Sequence, residues 1–325
     1  MGCGTSSIPH FDATIALKTK EKFTISYHLF AEHILLLRKV IKHPEMTTAG
    51  PKLDAAIFDY CQRMAHNEMR TREQQQKLPW QIEWIWHVHR LHPINYRDDC
   101  EQQLSDGLVD KTDSKIFSNF NQKYKPKTTL SSARDEHVFA PSIDLASAAI
   151  RQTDFLEKFK NHSLYSAKLG NSQRTTFQNL IQSYIWFLKL ADTKTLIVPT
   201  FEIDIIWHTH MRCPSRYHND SKASCGFILD HDDSIESCIL NDAFKLTADR
   251  WEKTYKTTYG QNIDPKTPTT MANTTICAVV SVPAYVPIYS SGCGGAVGGC
   301  GGAGGGGGGG CGGCGCGGGG CGGCG

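Results

Sequence analysis

The feature that most constrains this chain is a tryptophan–histidine motif that occurs twice. Residues 86–96 read WHVHRLHPINY and residues 207–217 read WHTHMRCPSRY, at a constant offset of 121 positions. Around each copy the apolar residues recur every three or four positions, which predicts an amphipathic helix. A motif duplicated in this way predicts two related helical units.

The predicted elements occur in the same order around both copies, and strand-like runs are few. We therefore predict an all-α fold in which tandem duplicated units, 11–140 and 141–260, form one helical body. A flexible N-terminus (1–10) precedes the units. A Pro/Thr linker (261–291) and a disordered Gly/Cys-rich tail (292–325) follow them, because glycine's backbone entropy opposes packing.

Prolines and glycines suggest bounds for individual helices. The first helix is predicted from about Phe11 to His43, the second from about Leu53 to Gln76, and the last from 240 to Gly260. A side chain at Ser142 or Asp144 is expected to cap the helix that opens the second unit. The polar residues 111–140 are predicted to be a connector.

The composition excludes several classes of protein. Lys plus Arg (34) nearly balance Asp plus Glu (32), so no overall charge attracts nucleic acid or anionic lipid. The chain has no secretory signal pattern and no apolar run long enough to span a bilayer, which favours a cytoplasmic protein with reduced cysteines. Seven of the fourteen cysteines lie in the tail, where C-x-x-C and C-x-C spacings can bind metal or accept acyl groups.

The first residues, MGCGTSS, fit an acylation signal. Gly2 with Ser6 matches the myristoylation pattern, and Cys3 can accept a palmitoyl group. Two acyl chains would hold the protein stably at a membrane, whereas one would not.

Helical geometry separates the roles of the two histidines in each motif. Histidines at i and i+2 point about 200° apart, so a pair from one helix cannot chelate one ion. His89 and His210 lie on the apolar stripe and are expected to be buried with hydrogen-bond partners. His87 and His208 follow the acidic residues Glu83 and Asp204 by one helical turn, so a carboxylate can orient each imidazole.

Two readings of these histidines remain open. In the first they are structural. In the second the two copies face each other, and His87, His89, His208 and His210, alone or with Asp99 and Asp220, bind Zn²⁺ or Fe, with Glu83 and Asp204 as orienting carboxylates. The HDD sequence at 231–233 is interpreted as a loop or helix cap.

The chain lacks the sequence motifs of familiar enzyme classes. It contains no G-x-S-x-G, Walker A, H-E-x-x-H or dinucleotide fingerprint, so no catalytic residue is predicted. The tail has no Arg, Lys, Tyr or Phe, which argues against RNA binding.

Four stretches together resemble the glycine-rich domain-containing protein family, best known from plants. They are WIWHVHRLHPINYRDDC (84–100), VPTFEIDIIWHTHMRCPSRYHND (198–220), ILDHDD (228–233) and RWEKTYKTTYG (250–260). The resemblance covers roughly residues 12–260. It implies a domain without an established enzyme activity, linked to stress and developmental responses, and in some plant members proposed to bind RNA.

We therefore expect a non-enzymatic interaction scaffold with protein partners, tethered to a membrane through Gly2 and Cys3. The alternative is a metal-binding protein or metalloenzyme that uses the motif histidines. A second alternative, association with RNA, rests on the family resemblance alone, and nucleic acid is the least favoured partner.

Overall fold

A computed structural model describes residues 8–16, 22–112, 123–126, 138–171 and 174–260. Gly2, Cys3, the linker 261–291 and the tail 292–325 lie outside these residues. The acylation signal and the disordered tail therefore stay predictions.

Eleven α-helices, two short 3₁₀ helices (Pro44–Met46 and Leu169–Asn171) and one two-stranded antiparallel sheet account for the regular structure of the described residues, which confirms a mostly helical fold. The strands are β1 (Asp12–Ala16) and β2 (Lys22–Ser26). The helices are α1 (Tyr27–Ile41), α2 (Pro51–Ala65), α3 (Arg72–Gln76), α4 (Trp80–Arg90), α5 (Pro93–Gln103), α6 (Leu145–Asn161), α7 (Ser163–Ser166), α8 (Arg174–Leu190), α9 (Phe201–Met211), α10 (Pro214–Cys225) and α11 (Ser237–Tyr255). None of them has an apolar stretch that could cross a bilayer.

The hairpin β1–β2 corrects the prediction of a helix beginning near Phe11. Ala13, Phe23 and Ile25 are buried and alternate with more exposed neighbours, which is the period of a strand and not of a helix. The helix begins only at Tyr27, where the Ser26 hydroxyl accepts a hydrogen bond from the backbone of His28 at 3.1 Å.

Two other helix bounds also differ from the predictions. The second predicted helix is two helices, because the chain between α2 and α3 turns through Asn67 in a left-handed conformation (φ 55°). The last helix ends at Tyr255, where Lys256 takes up the left-handed conformation (φ 57°), and does not continue to Gly260. Asp144 caps α6, as one of the two predicted caps.

The two motif helices, α4 and α9, lie at the centre of the core. Every residue of α4 except Gln81 is buried, and so is every residue of α9 after Phe201. A helix buried on all sides must satisfy its polar side chains inside the protein, since water does not reach them. The histidines and acids of both motifs therefore lie in the interior.

Candidate metal centre

The tryptophan and tyrosine of each motif form the same hydrogen bond. The indole nitrogen of Trp86 donates to the hydroxyl of Tyr96 at 2.9 Å, and that of Trp207 donates to Tyr217 at the same distance. These bonds fix α5 against α4 and α10 against α9. The two copies are therefore equivalent in structure as well as in sequence.

Each motif tyrosine also anchors the chain segment that follows its helix. In the first copy the tyrosine hydroxyl donates to the carbonyl of Val109 at 2.6 Å, and in the second it donates to the carbonyl of Leu229. Two residues beyond these carbonyls stand Lys111 and His231. The Lys111 ammonium lies 5.8 Å from the motif indole ring of the first copy, and the His231 ring lies 5.1 Å from that of the second. Lys111 and His231 thus occupy equivalent positions.

In the second copy three potential metal ligands converge. The Nε2 atoms of His208 and His231 are 3.0 Å apart, and Asp204 Oδ1 lies 3.3 Å from His208 Nε2. One ligand atom from each of the three residues lies within 4.8 Å of the others, and all three side chains are buried. Asp204 and His208 come from one face of α9, one turn apart, as the sequence predicts. His231 comes from the loop before α11.

The loop that carries His231 is held by its neighbour Asp233. This carboxylate accepts hydrogen bonds from Arg151 at 2.7 Å and from Gln152 at 2.9 Å, both on α6. Burial lowers the pKa of His231 to about 4, so its imidazole is neutral at pH 7 and has a lone pair for a metal ion.

The carboxylates of the two copies differ in their charge environment. Glu83 is 3.0 Å from Arg90, 2.9 Å from Arg212 and 3.1 Å from Lys111. Burial alone would raise the pKa of Glu83, but the charges of Lys111, Arg90 and Arg212 outweigh it and lower the pKa. Asp204 is 1% exposed, and among the described residues neither of its oxygens accepts a hydrogen bond. Among the described residues no lysine or arginine forms an ion pair with Asp204, whereas three do so with Glu83.

His87 lies near the second copy's site without a hydrogen-bond partner of its own. Its ring centroid is 6.1 Å from that of His208 and 4.7 Å from that of His33. Neither of its nitrogens is hydrogen-bonded within the described part of the chain. The sequence predicts that Glu83 orients His87, but Glu83 pairs instead with Arg90, Arg212 and Lys111.

His89 and His210 are buried and hydrogen-bonded through both nitrogens, as the helix geometry predicts. In each copy a tyrosine hydroxyl contacts Nδ1 and an aspartate carboxylate contacts Nε2. The members are Tyr60, His89 and Asp99 (2.8 and 3.0 Å) and Tyr184, His210 and Asp220 (3.0 and 3.1 Å). Because a carboxylate accepts from Nε2–H, Nδ1 accepts from the tyrosine, and no lone pair is left for a metal ion. His89, His210, Asp99 and Asp220 are therefore not members of the ligand set.

The structure thus places His87 near His208. The residue that completes the cluster with Asp204 and His208, however, is His231. From the sequence, His231 is interpreted only as part of a loop or helix cap. The sequence does contain a signal for His231, which is its distance from the motif tyrosine. His231 follows the second motif tyrosine by 14 residues, and Lys111 follows the first by 15. A histidine in place of a lysine at that position marks the difference between the two sites.

The neutral state of the buried histidines predicts a loss of stability in acid. Thr209 donates its hydroxyl hydrogen to the carbonyl of Ile205 at 2.7 Å, so it accepts from Nδ1 of His33 at 2.8 Å, and the neutral His33 ring carries its proton on Nδ1. Burial, and secondarily nearby positive groups, lowers the pKa of both His33 and His87 well below the ordinary value of 6.5.

A histidine whose folded pKa is depressed contributes stability that is present above pH 6.5 and lost as the pH falls toward the folded pKa, because the unfolded chain binds the proton first. We expect the unfolding free energy of the metal-free protein to fall between pH 7 and 5.5 by up to about 1.4 kcal/mol per pH unit for each such histidine. Urea unfolding at the two pH values measures this. His87→Gln should reduce the slope, and a flat profile in the parent protein would contradict the prediction.

Comparisons with known proteins agree with the resemblance seen in the sequence. Residues 101–220, which include the second motif, match the family described as glycine-rich domain-containing protein-like. Glycine-rich domain-containing protein 1 of Arabidopsis thaliana is 29% identical over 301 residues, covering 81% of this chain and 36% of its own length. Glycine-rich domain-containing protein 2 of the same plant is 29% identical over 281 residues, covering 76% and 35%. The chain spans about a third of the length of these relatives. No solved structure matches it.

Proposed function

We infer from these matches that this chain is a member of the glycine-rich domain-containing protein family, and we propose that its helical body binds one divalent transition-metal ion. The ligands are the carboxylate of Asp204 and the Nε2 atoms of His208 and His231. The observation that carries the proposal is the unbalanced, buried carboxylate of Asp204.

A buried carboxylate is costly unless a cation and hydrogen bonds balance it. The first copy provides an internal control, since its carboxylate at the equivalent position, Glu83, is balanced by Lys111 and two arginines. In the second copy the lysine is replaced by His231, whose imidazole is neutral at pH 7. A bound metal ion would supply the positive charge that Lys111 supplies in the first copy.

The ligand geometry suits such an ion. Two atoms bound about 2.1 Å from a metal ion in tetrahedral arrangement lie about 3.4 Å apart. The Asp204–His208 and His208–His231 separations of 3.3 and 3.0 Å are close to this value. Two imidazoles and one carboxylate are a donor set used for Zn²⁺ and for Fe²⁺, with further coordination positions left for water.

Metal content of the full chain tests the proposal. We expect elemental mass spectrometry to find about one zinc or iron ion more per chain in the parent protein than in an Asp204→Asn/His231→Gln double variant. The seven cysteines between Cys293 and Cys324 can bind zinc themselves. The tail is therefore alkylated in every sample before loading, and the readout is the difference between variants.

His218→Gln is the matched control, because His218 lies on α10 as a half-buried histidine outside the cluster. Its metal content should equal that of the parent protein. Equal metal content in the parent protein and in the double variant would refute the proposal.

The scaffold role, protein partners, the acyl tether at Gly2 and Cys3, and the link to stress or developmental responses stay predictions from the sequence. No described residue bears on them, and a metal-binding helical body is compatible with each.

A further inference from the structure

A polar cavity lies apart from the metal cluster, between the hairpin and both helical units. Its volume is about 390 Å³, which is within the range of small-molecule sites. The hairpin contributes Asp12 and Thr24 to the wall, and α1 contributes His28 and Glu32. The first unit also contributes Arg72 of α3, and the second unit contributes Arg216 of α10.

The two arginines are the most informative residues of the wall. Neither the Arg72 nor the Arg216 guanidinium forms a hydrogen bond or ion pair with another described residue. They come from different helices and face one cavity. Arginine presents several N–H donors in a planar fork that fits carboxylate and phosphate oxygens.

The acidic residues of the wall do not cancel these charges. Glu32 is 3% exposed and also lies 3.6 Å from Arg212 and 3.8 Å from Lys111, so cations behind the cavity wall already offset its charge. Asp12 is then the remaining carboxylate of the described wall against the two guanidiniums. The described part of the cavity therefore favours an anion.

We propose that this cavity binds a small organic dianion, a dicarboxylate or a phosphate monoester, between Arg72 and Arg216. The Thr24 hydroxyl and the imidazole of His28, which stacks on His10 at 4.7 Å, provide polar contacts. Asp12 repels a third negative charge and accepts a hydrogen bond from a hydroxyl group of the ligand. The site is independent of the metal centre.

Isothermal titration of the full chain with malate and with inorganic phosphate tests the proposal and separates the two ligand classes. We expect saturable binding of at least one probe at one site per chain. Arg72→Gln and Arg216→Gln should each weaken it at least about tenfold, since each removes a charge-assisted contact. A bound malate with no bound phosphate identifies a carboxylate site, and the reverse identifies a phosphate site.

Arg97→Gln is the charge-matched control. Arg97 lies on α5 outside the cavity and pairs with Glu101 at 2.7 Å. Its loss changes the net charge equally but should leave the affinity unchanged. The proposal fails if neither probe binds saturably, or if Arg97→Gln weakens binding as much as the cavity substitutions do. Circular dichroism of each variant confirms that the loss is not caused by unfolding.

Discussion

Replacing Asp204 with asparagine is expected to stabilise the metal-free protein, although Asp204 is buried and central. In the absence of metal this carboxylate is desolvated, and within the described structure neither of its oxygens accepts a hydrogen bond. Asparagine has the same shape but no charge, and its amide can donate to a lone pair on His208 Nε2, which lies 3.3 Å from Oδ1 of Asp204. We expect the free energy of unfolding in EDTA to rise by about 1–3 kcal/mol, the usual cost of an unsatisfied buried group.

Added metal should make the parent protein more stable than Asp204→Asn, which reverses their order in EDTA. An ion that binds only the folded state adds about 2.7 kcal/mol of stability at a free concentration one hundred times its Kd. The parent protein should gain this amount, and Asp204→Asn should gain little. Urea unfolding with EDTA and with added zinc measures both effects as shifts of the midpoint at a constant m-value.

Asp98→Asn makes the same chemical change at an exposed position on α5 and should alter stability by less than about 0.5 kcal/mol in either buffer. A loss of stability in Asp204→Asn in EDTA would contradict this prediction. It would mean that a histidine of the cluster is protonated and already balances Asp204. The charge argument for a metal ion would then fail.

The parts of the structure that follow from short-range patterns were predictable. The spacing of apolar residues predicts the motif helices, and helical geometry correctly predicts that His89 is buried with hydrogen-bond partners. His87, which the same geometry places on the other stripe, is equally buried. The hairpin was not predictable in the same way, because its short strands resemble a continuation of the α1 pattern until the pairing of Phe23 and Ile25 with the core is known.

The ligand set depends on long-range contacts that spacing does not encode. His231 joins His208 because the Tyr217 hydroxyl holds the Leu229 carbonyl and because Asp233 is bound to α6. Similarly, Glu83 is neighboured in sequence by His87 but is paired in space with an arginine 129 residues away. Sequence periodicity indicates which face a side chain occupies, but the tertiary structure decides its partner.

Glu83→Gln is expected to have the opposite effect from the equivalent change at Asp204, with a loss of about 3–5 kcal/mol. Glu83 is the shared partner of Arg90, Arg212 and Lys111, all of which are buried. Without the carboxylate these cations keep their desolvation cost and lose their main compensating charge, since Glu32 lies farther off at 3.6 and 3.8 Å. Because the folded pKa of Glu83 is depressed, its contribution is fully present above the unfolded pKa near 4.3 and is lost as the pH falls through the folded value.

Urea unfolding at pH 7 measures the loss, which is a large share of the 5–15 kcal/mol that stabilises an ordinary domain. Glu101→Gln, which removes a half-exposed partner of Arg97, is the control and should cost less than about 1 kcal/mol. A loss at Glu83 as small as that of the control would show that water screens the three cations. Changes of opposite sign in the free energy of unfolding at positions 83 and 204 could not come from helix propensity or packing, because both substitutions keep the side-chain shape. They would arise from the different charges around the two carboxylates, since Lys111 and Arg90 pair with Glu83, whereas His231 and Met211 stand at the equivalent positions of the second copy.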